Sequence, residues 1–200
     1  MNKSKYLGLG IVLIILASVG IYIWRTREAP YYPVIDSPRP YLGSNEAKVV
    51  IEEFSDFQCP ACKAAQPLLK DIINTFGERI KLSYRHYPLV SIHTNAFRAA
   101  LAVECANDQG KFWLYHDKLF SEQPALSRSD LLSYAAGLGL DSSQFTACLD
   151  SKAKTKIVRQ DINEGDKRGV NSTPSFFLNG AKVADWTKLK ELIQAKLIGG

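Results

Sequence analysis

The first thirty positions, MNKSKYLGLGIVLIILASVGIYIWRTREAP, hold one long apolar run with basic residues on either side. No charge interrupts residues 6–24, a length that crosses a bilayer as a helix. Tyr22 and Trp24 stand where an interfacial aromatic belt would lie. A cleavable signal peptide is the rival reading, but its apolar core is usually shorter, and Ala17-Ser18-Val19 and Ser18-Val19-Gly20 are weak cleavage sites. The run therefore predicts an uncleaved transmembrane anchor at 6–24 behind a basic flank at 1–5. Pro30, Pro33, Pro38 and Pro40 then deny regular helix, so residues 25–46 read as an extended stalk.

From residue 47 to residue 200 the periodicities are those of one folded domain. "AKVVIEEF" is a β-branched run of strand length. Ala61, Ala65, Leu68, Leu69, Ile72, Ile73 and Phe76 fall on one helical stripe from Pro60 to Phe76, which Pro67 should kink and Gly77 should end. "RIKLSYRHY" alternates as a second strand. Residues 91–150 read as helical almost throughout, with Ser127 or Ser129 and then Asp141 as caps. A long polar-faced helix follows from Ser151 to about Arg168. "TPSFFLNGAKVAD" reads as strand, Asn-Gly turn, strand, and "TKLKELIQAKLI" as a final helix behind Thr187. A parallel β-α-β start joined to an antiparallel hairpin makes a mixed sheet with helices on both faces, an α/β fold.

Charge narrows the function classes. The formal net charge is +5, but Lys3, Lys5, Arg25, Arg27 and Glu28 flank the apolar run. Residues 30–200 keep 21 basic against 19 acidic side chains, too even a balance for a nucleic-acid binder. The short basic run Lys152, Lys154, Lys156 and Arg159 reads as a solvated helix face.

The candidate chemistry lies in "DFQCPACKAAQPLLK". Chance rarely places two of four cysteines three apart. Structural zinc needs further ligands, yet Cys105 and Cys148 form no second C-x-x-C pair, and His86, His93 and His116 lack ligand spacing; no metal site is expected and the histidines receive no role. Cys59 follows a strand and starts a helix, where unpaired amides and partial positive charge stabilise a thiolate. Pro60 suits the first turn, where its missing N–H costs nothing. Cys59 thus reads as the exposed nucleophile and Cys62, one turn on, as the more buried resolving thiol. Cys105 and Cys148 read as a structural disulfide rather than a second redox pair. Phe112, Trp113 and Tyr115 could form an apolar rim but fit a core better.

"EEFSDFQCPACK" followed far downstream by "GVNSTPSFFLNG" resembles the DsbA-like branch of the thioredoxin-fold oxidoreductases. "RHYPL", "AFRAALAVECANDQGKFWLYHDKLF" and "FTACLD" resemble that branch's helical insertion, and the likeness spans about residues 47–197. It implies a thioredoxin-like fold with an inserted helical subdomain at about 91–150. It implies a cis peptide at Thr173–Pro174 facing the cysteine pair, with backbone groups that bind an extended substrate. It also implies that Glu53, six residues before Cys59, is a buried acid relaying a proton to the resolving thiol. Glu52 and Glu53 point to opposite faces of a strand, so only one of them can be buried. Thr173 has a hydroxyl that could bond a nearby sulfur. The best-known oxidant of the branch has histidine where this chain has Ala61, which points to a milder oxidant.

The expected function is therefore extracytoplasmic, membrane-anchored oxidation of client proteins at Cys59–Cys62, without metal or organic cofactor. Reduced or unfolded clients and, by resemblance, a quinone-linked membrane thiol oxidase are the expected partners. A reductase or isomerase, as in cytochrome maturation, is the nearest alternative, and a non-catalytic binding module or chaperone the alternative from another class.

Overall fold

The computed structural model describes residues 39–199. The anchor expected at 6–24 and most of the expected stalk lie outside the described residues. Among those described, no helix is long and apolar enough to cross a membrane. The elements in chain order are β1 (Tyr41–Gly43), β2 (Val49–Ser55), α1 (Pro60–Phe76), β3 (Ile80–His86), α2 (Ala96–Asn107), α3 (Phe112–Ser121), α4 (Arg128–Gly137), α5 (Ser142–Ser151), α6 (Thr155–Lys167), β4 (Ser175–Leu178), β5 (Ala181–Lys182) and α7 (Leu189–Ile198).

These residues form a mixed sheet in the order β1-β3-β2-β4-β5. β2 and β3 run parallel, from Val49 opposite Ile80 to Ser55 opposite His86. β4 lies antiparallel to β2, with Glu53 opposite Phe176. Asn179 and Gly180 turn the β4–β5 hairpin with φ of 48° and 82°, the left-handed pair that an Asn-Gly sequence adopts at low cost. The fold is thioredoxin-like, as the resemblance implies.

Strand alternation sends the side chains of β2 to two different cores. Val49 and Ile51 join Ala65, Leu69 and Ile72 of α1 and Leu189 and Ile193 of α7. Phe54 points to the opposite face, with Val170 and Phe177. Each such buried side chain contributes roughly 1.5–3 kcal/mol, so the two cores pin the register of β2 and, with it, the end that leads to Cys59. Gly165 of α6 closes the second face: a Cβ there would lie 2.7 Å from the Tyr87 ring.

The helices α2–α5 form the expected inserted subdomain around Leu101, Tyr115, Leu119, Leu131 and Phe145. Ser127 caps α4 in a reciprocal capping box with Asp130, and Asp141 caps α5 through the Gln144 amide. Cys105 of α2 and Cys148 of α5 are joined, with Cα atoms 5.9 Å apart. The core of this subdomain also takes in Phe57, Cys59, Cys62 and Tyr84, so it packs directly against the candidate site.

Three boundaries differ from the sequence reading. Tyr41–Gly43, placed in the stalk, is an edge strand antiparallel to β3, since β3 offers a free row of backbone groups there. Gly43 permits this: its φ is 83°, and a Cβ would sit 2.0 Å from the Ile80 carbonyl oxygen. The helix expected from Ser151 begins at Thr155, because Lys152 takes a left-handed conformation and ends α5 first. Asp185, not Thr187, caps the last helical segment, accepting from the Thr187 amide.

Candidate active site

β2 delivers the chain to the site, and α1 begins there. Cys59 is the N-cap of α1, with extended backbone and no side-chain cap, and Pro60 occupies the first turn. The orphan amides of that turn therefore face the Cys59 sulfur rather than a capping oxygen. Cys59 and Cys62 are both free thiols, 7% and 0% exposed. The Cys59 amide bonds the Asp56 carbonyl at 3.1 Å, and the Asp56 amide approaches Cys62 Sγ at 3.5 Å. The turn from Asp56 to Cys62 is thus closed around both sulfurs.

The electrostatics separate the two thiols. Cys59 is pulled down from 9.0 to about 5, first by a hydrogen bond from Cys62 and then, against the penalty of burial, by the Thr173 side chain and the Cys62 and Ala61 amides. Burial pushes Cys62 far up, and its bond to Cys59 and the negative charge of Glu53 push it further. The first thiol is a poised anion and the second a held proton, the division of labour that sequential exchange needs.

Glu53 shares the inner face of β2 with Ile51 and is 2% exposed; burial raises its carboxyl from 4.5 to about 7, although Ser55 and Gln66 pull it down. Gln66 of α1 donates to it at 3.4 Å. Glu52 faces the other way and pairs with Arg85 and Arg168 at 3.3 and 2.9 Å. A carboxyl that titrates near neutrality beside Cys62 can take or return a proton.

The loop before β4 supplies the facing wall. The Thr173–Pro174 peptide is cis. The Cys59 thiol donates to the Thr173 carbonyl at 3.4 Å, and the Thr173 hydroxyl, the group the sequence had suggested, helps hold the Cys59 thiolate. Thr173 Oγ1 is buried and otherwise unpartnered, a donor available once the thiol ionises. Ala61 is exposed and contributes its amide alone.

Several residues at this site carried no sequence signal. Gln123 donates to the Phe57 carbonyl and, at 3.3 Å, to the Cys59 carbonyl. Asp56 and Gln58 tie the turn to the loop 88–95 through Leu89, His93 and Asn95. The histidines given no role are all partnered: His93 with Asp56, His86 with Glu104 at 2.9 Å, and His116 with Asp117 at 2.8 Å. Asp56 lies three residues before Cys59, and its partner His93 lies 37 positions further on.

A cavity of about 500 Å³ is lined by Glu53, Gln66, Pro67, Leu82, Trp113 and His116. Phe112 and Tyr115 are core, while Trp113 is partly exposed on this cavity. Among the described residues, no group of three or more His, Cys, Asp or Glu side chains is placed to hold a metal ion.

Comparison with known proteins agrees with this geometry. A thioredoxin family model matches residues 36–195. Oxidised BdbD from Bacillus subtilis superposes with a TM-score of 0.71 at 27% identity, covering 80% of this chain and 94% of the other. A thioredoxin-like oxidoreductase from Silicibacter pomeroyi gives a TM-score of 0.70 at 27% identity, covering 78% and 91%. Among curated proteins, the Na(+)/H(+) antiporter NhaA 1 of Salinispora arenicola is 38% identical over 149 residues, 74% of this chain. The chain spans only 23% of that relative's length, so the antiporter name belongs to a far longer protein.

Proposed function

This chain belongs to the thioredoxin family, and from that membership we propose that it oxidises client proteins by thiol–disulfide exchange at Cys59–Cys62 in an extracytoplasmic compartment. A client thiolate attacks Cys59 Sγ of the oxidised pair; the Cys59–Cys62 bond breaks and a client–Cys59 disulfide forms. Cys62 leaves as a thiolate, and the Glu53 carboxyl is placed to protonate it. A second client thiolate attacks the client sulfur of the mixed disulfide and displaces Cys59. The client is then oxidised by two electrons, and the pair is reduced.

The lowered pKa of Cys59 carries this reading. The second displacement is easiest from a stabilised thiolate, so the site favours the oxidising direction. The cis Thr173–Pro174 loop, whose carbonyl already meets Cys59, offers backbone groups for an extended client segment. The apolar run at 6–24 supports attachment to a membrane, where a quinone-linked thiol oxidase would regenerate the pair.

Equilibration with glutathione tests the direction. An oxidant should give a potential between about −200 and −120 mV, whereas a value near about −270 mV would make the protein a reductase. Cys62→Ser should accumulate client proteins in disulfide linkage to Cys59; a variant that traps none supports a binding module instead.

A further inference from the structure

We infer that His93 is a positioning residue for the Cys59 nucleophile, acting through Asp56. The inference rests on Cys59–Cys62 being the exchanging pair. Asp56 is the residue that closes the active-site turn. Its carbonyl accepts the Cys59 amide at 3.1 Å, and its amide points at Cys62 Sγ at 3.5 Å. Its side chain is completely buried. A buried carboxylate holds its place only while donors satisfy its oxygens.

Oδ1 accepts the Gln58 amide at 2.7 Å, within the turn. Oδ2 accepts the Leu89 amide at 2.8 Å and His93 Nδ1 at 2.7 Å, both from the loop between β3 and α2. A carboxylate is an acceptor, so the hydrogen lies on Nδ1. The same loop makes a second tie, from the Asn95 amide to Gln58 Oε1 at 2.8 Å.

Two of the donors to Asp56 are main-chain amides, present whatever the sequence. His93 is the side-chain donor among them, and it comes from outside the Cys-Pro-Ala-Cys turn. Its ring sets the tilt of the Asp56 carboxylate, and thereby the direction of the amide and carbonyl that touch the two cysteines. The turn itself holds Ala61 between the cysteines, which has no side-chain hydrogen bond to offer. The imidazole from the neighbouring loop supplies the missing orientation.

The test uses the full-length reduced protein with His93→Leu, His93→Asn and His93→Gln. An Asn amide reaches about where Nδ1 lies, whereas a Gln amide places its donor nearer the Nε2 position. Thiolate absorbance against pH reads the Cys59 midpoint, and glutathione equilibration reads the pair. Leu and Gln should raise the midpoint by about one unit and shift the glutathione equilibrium about tenfold toward the disulfide, the lower end of the worth of a hydrogen bond to a charged group. Asn should keep both near wild type.

A His93→Leu protein that loses thermal stability alone, with midpoint and equilibrium unchanged, would make His93 structural and overturn the inference. Should His93→Leu fail to fold, equal midpoints for the Asn and Gln variants would overturn it. A wild-type protein with no low-pH thiolate and no glutathione exchange would sink the parent reading instead, a separate outcome.

Discussion

Replacing Glu53 with glutamine should make the reduced protein more stable while slowing its chemistry. Glu53 is 2% exposed and burial raises its carboxyl from 4.5 to about 7. Between those two pH values it is protonated in the native state and ionised in the unfolded chain. The native state therefore binds more protons, and stability falls as pH rises across that window. A shift of about 2.5 units at 1.36 kcal/mol each gives a cost of about 3 kcal/mol, complete above pH 7. Glutamine keeps the shape and the contact with Gln66 but never ionises, so it removes this cost. Urea unfolding of both reduced proteins should give equal stabilities at pH 4.5 and a gain of about 3 kcal/mol for Glu53→Gln at pH 8. In a chain of this size that gain corresponds to a Tm rise of roughly 6–12 °C. Taking the difference between the two proteins cancels the other titrating groups. In stopped-flow exchange, protonation of the departing Cys62 should become limiting in the variant. A variant no more stable at pH 8, or equally stabilised at both pH values, would refute a buried, ionising Glu53.

Three further outcomes follow from the same structure. Cys105→Ala with Cys148→Ala opens a bridge across 43 positions and should cost about 4 kcal/mol in denaturant unfolding, leaving the Cys59–Cys62 equilibrium with glutathione unchanged. Arg39→Ala removes the 3.0 Å pair with Asp161, which is 1% exposed and is left with the 3.3 Å contact with Arg85 and the His86 amide at 3.1 Å; urea titration should show a loss of about 3 kcal/mol. Val90 and Ile92 are 60% and 68% exposed on the loop tied to the active-site turn. Changing both to serine should raise KM for reduced protein clients several-fold, leave glutathione exchange intact and alter stability by less than about 0.5 kcal/mol.

How much of this was legible in the sequence differs between elements. The strand β2, the helix α1 with its bounds, and the β4–β5 hairpin were readable because their signals are local: β-branched runs, a helical stripe after proline, and an Asn-Gly turn. The helix α6 was placed four residues too early because no local signal marked the left-handed Lys152. The edge strand at Tyr41–Gly43 was hidden by its proline-rich neighbours, since pairing with β3 depends on a partner 42 positions away from Tyr41. Within the site, Cys59, Cys62, Glu53 and Pro174 were visible from spacing and resemblance. Gln123, Asp56 and His93 were not, because each acts through a contact between segments remote in the chain.

The chain by itself determined that a cysteine would sit where a strand gives way to a helix, with a second cysteine one turn inside. It also determined that one of two adjacent glutamates would face inward, since strand side chains alternate. Which glutamate, and what its burial does to its proton, was decided only when α1 and α7 covered one face of β2. The same holds for the contrast between the two sulfurs. Desolvation, the Thr173 wall and the Asp56–His93 clasp arise from packing, and these fields exist only once distant segments meet.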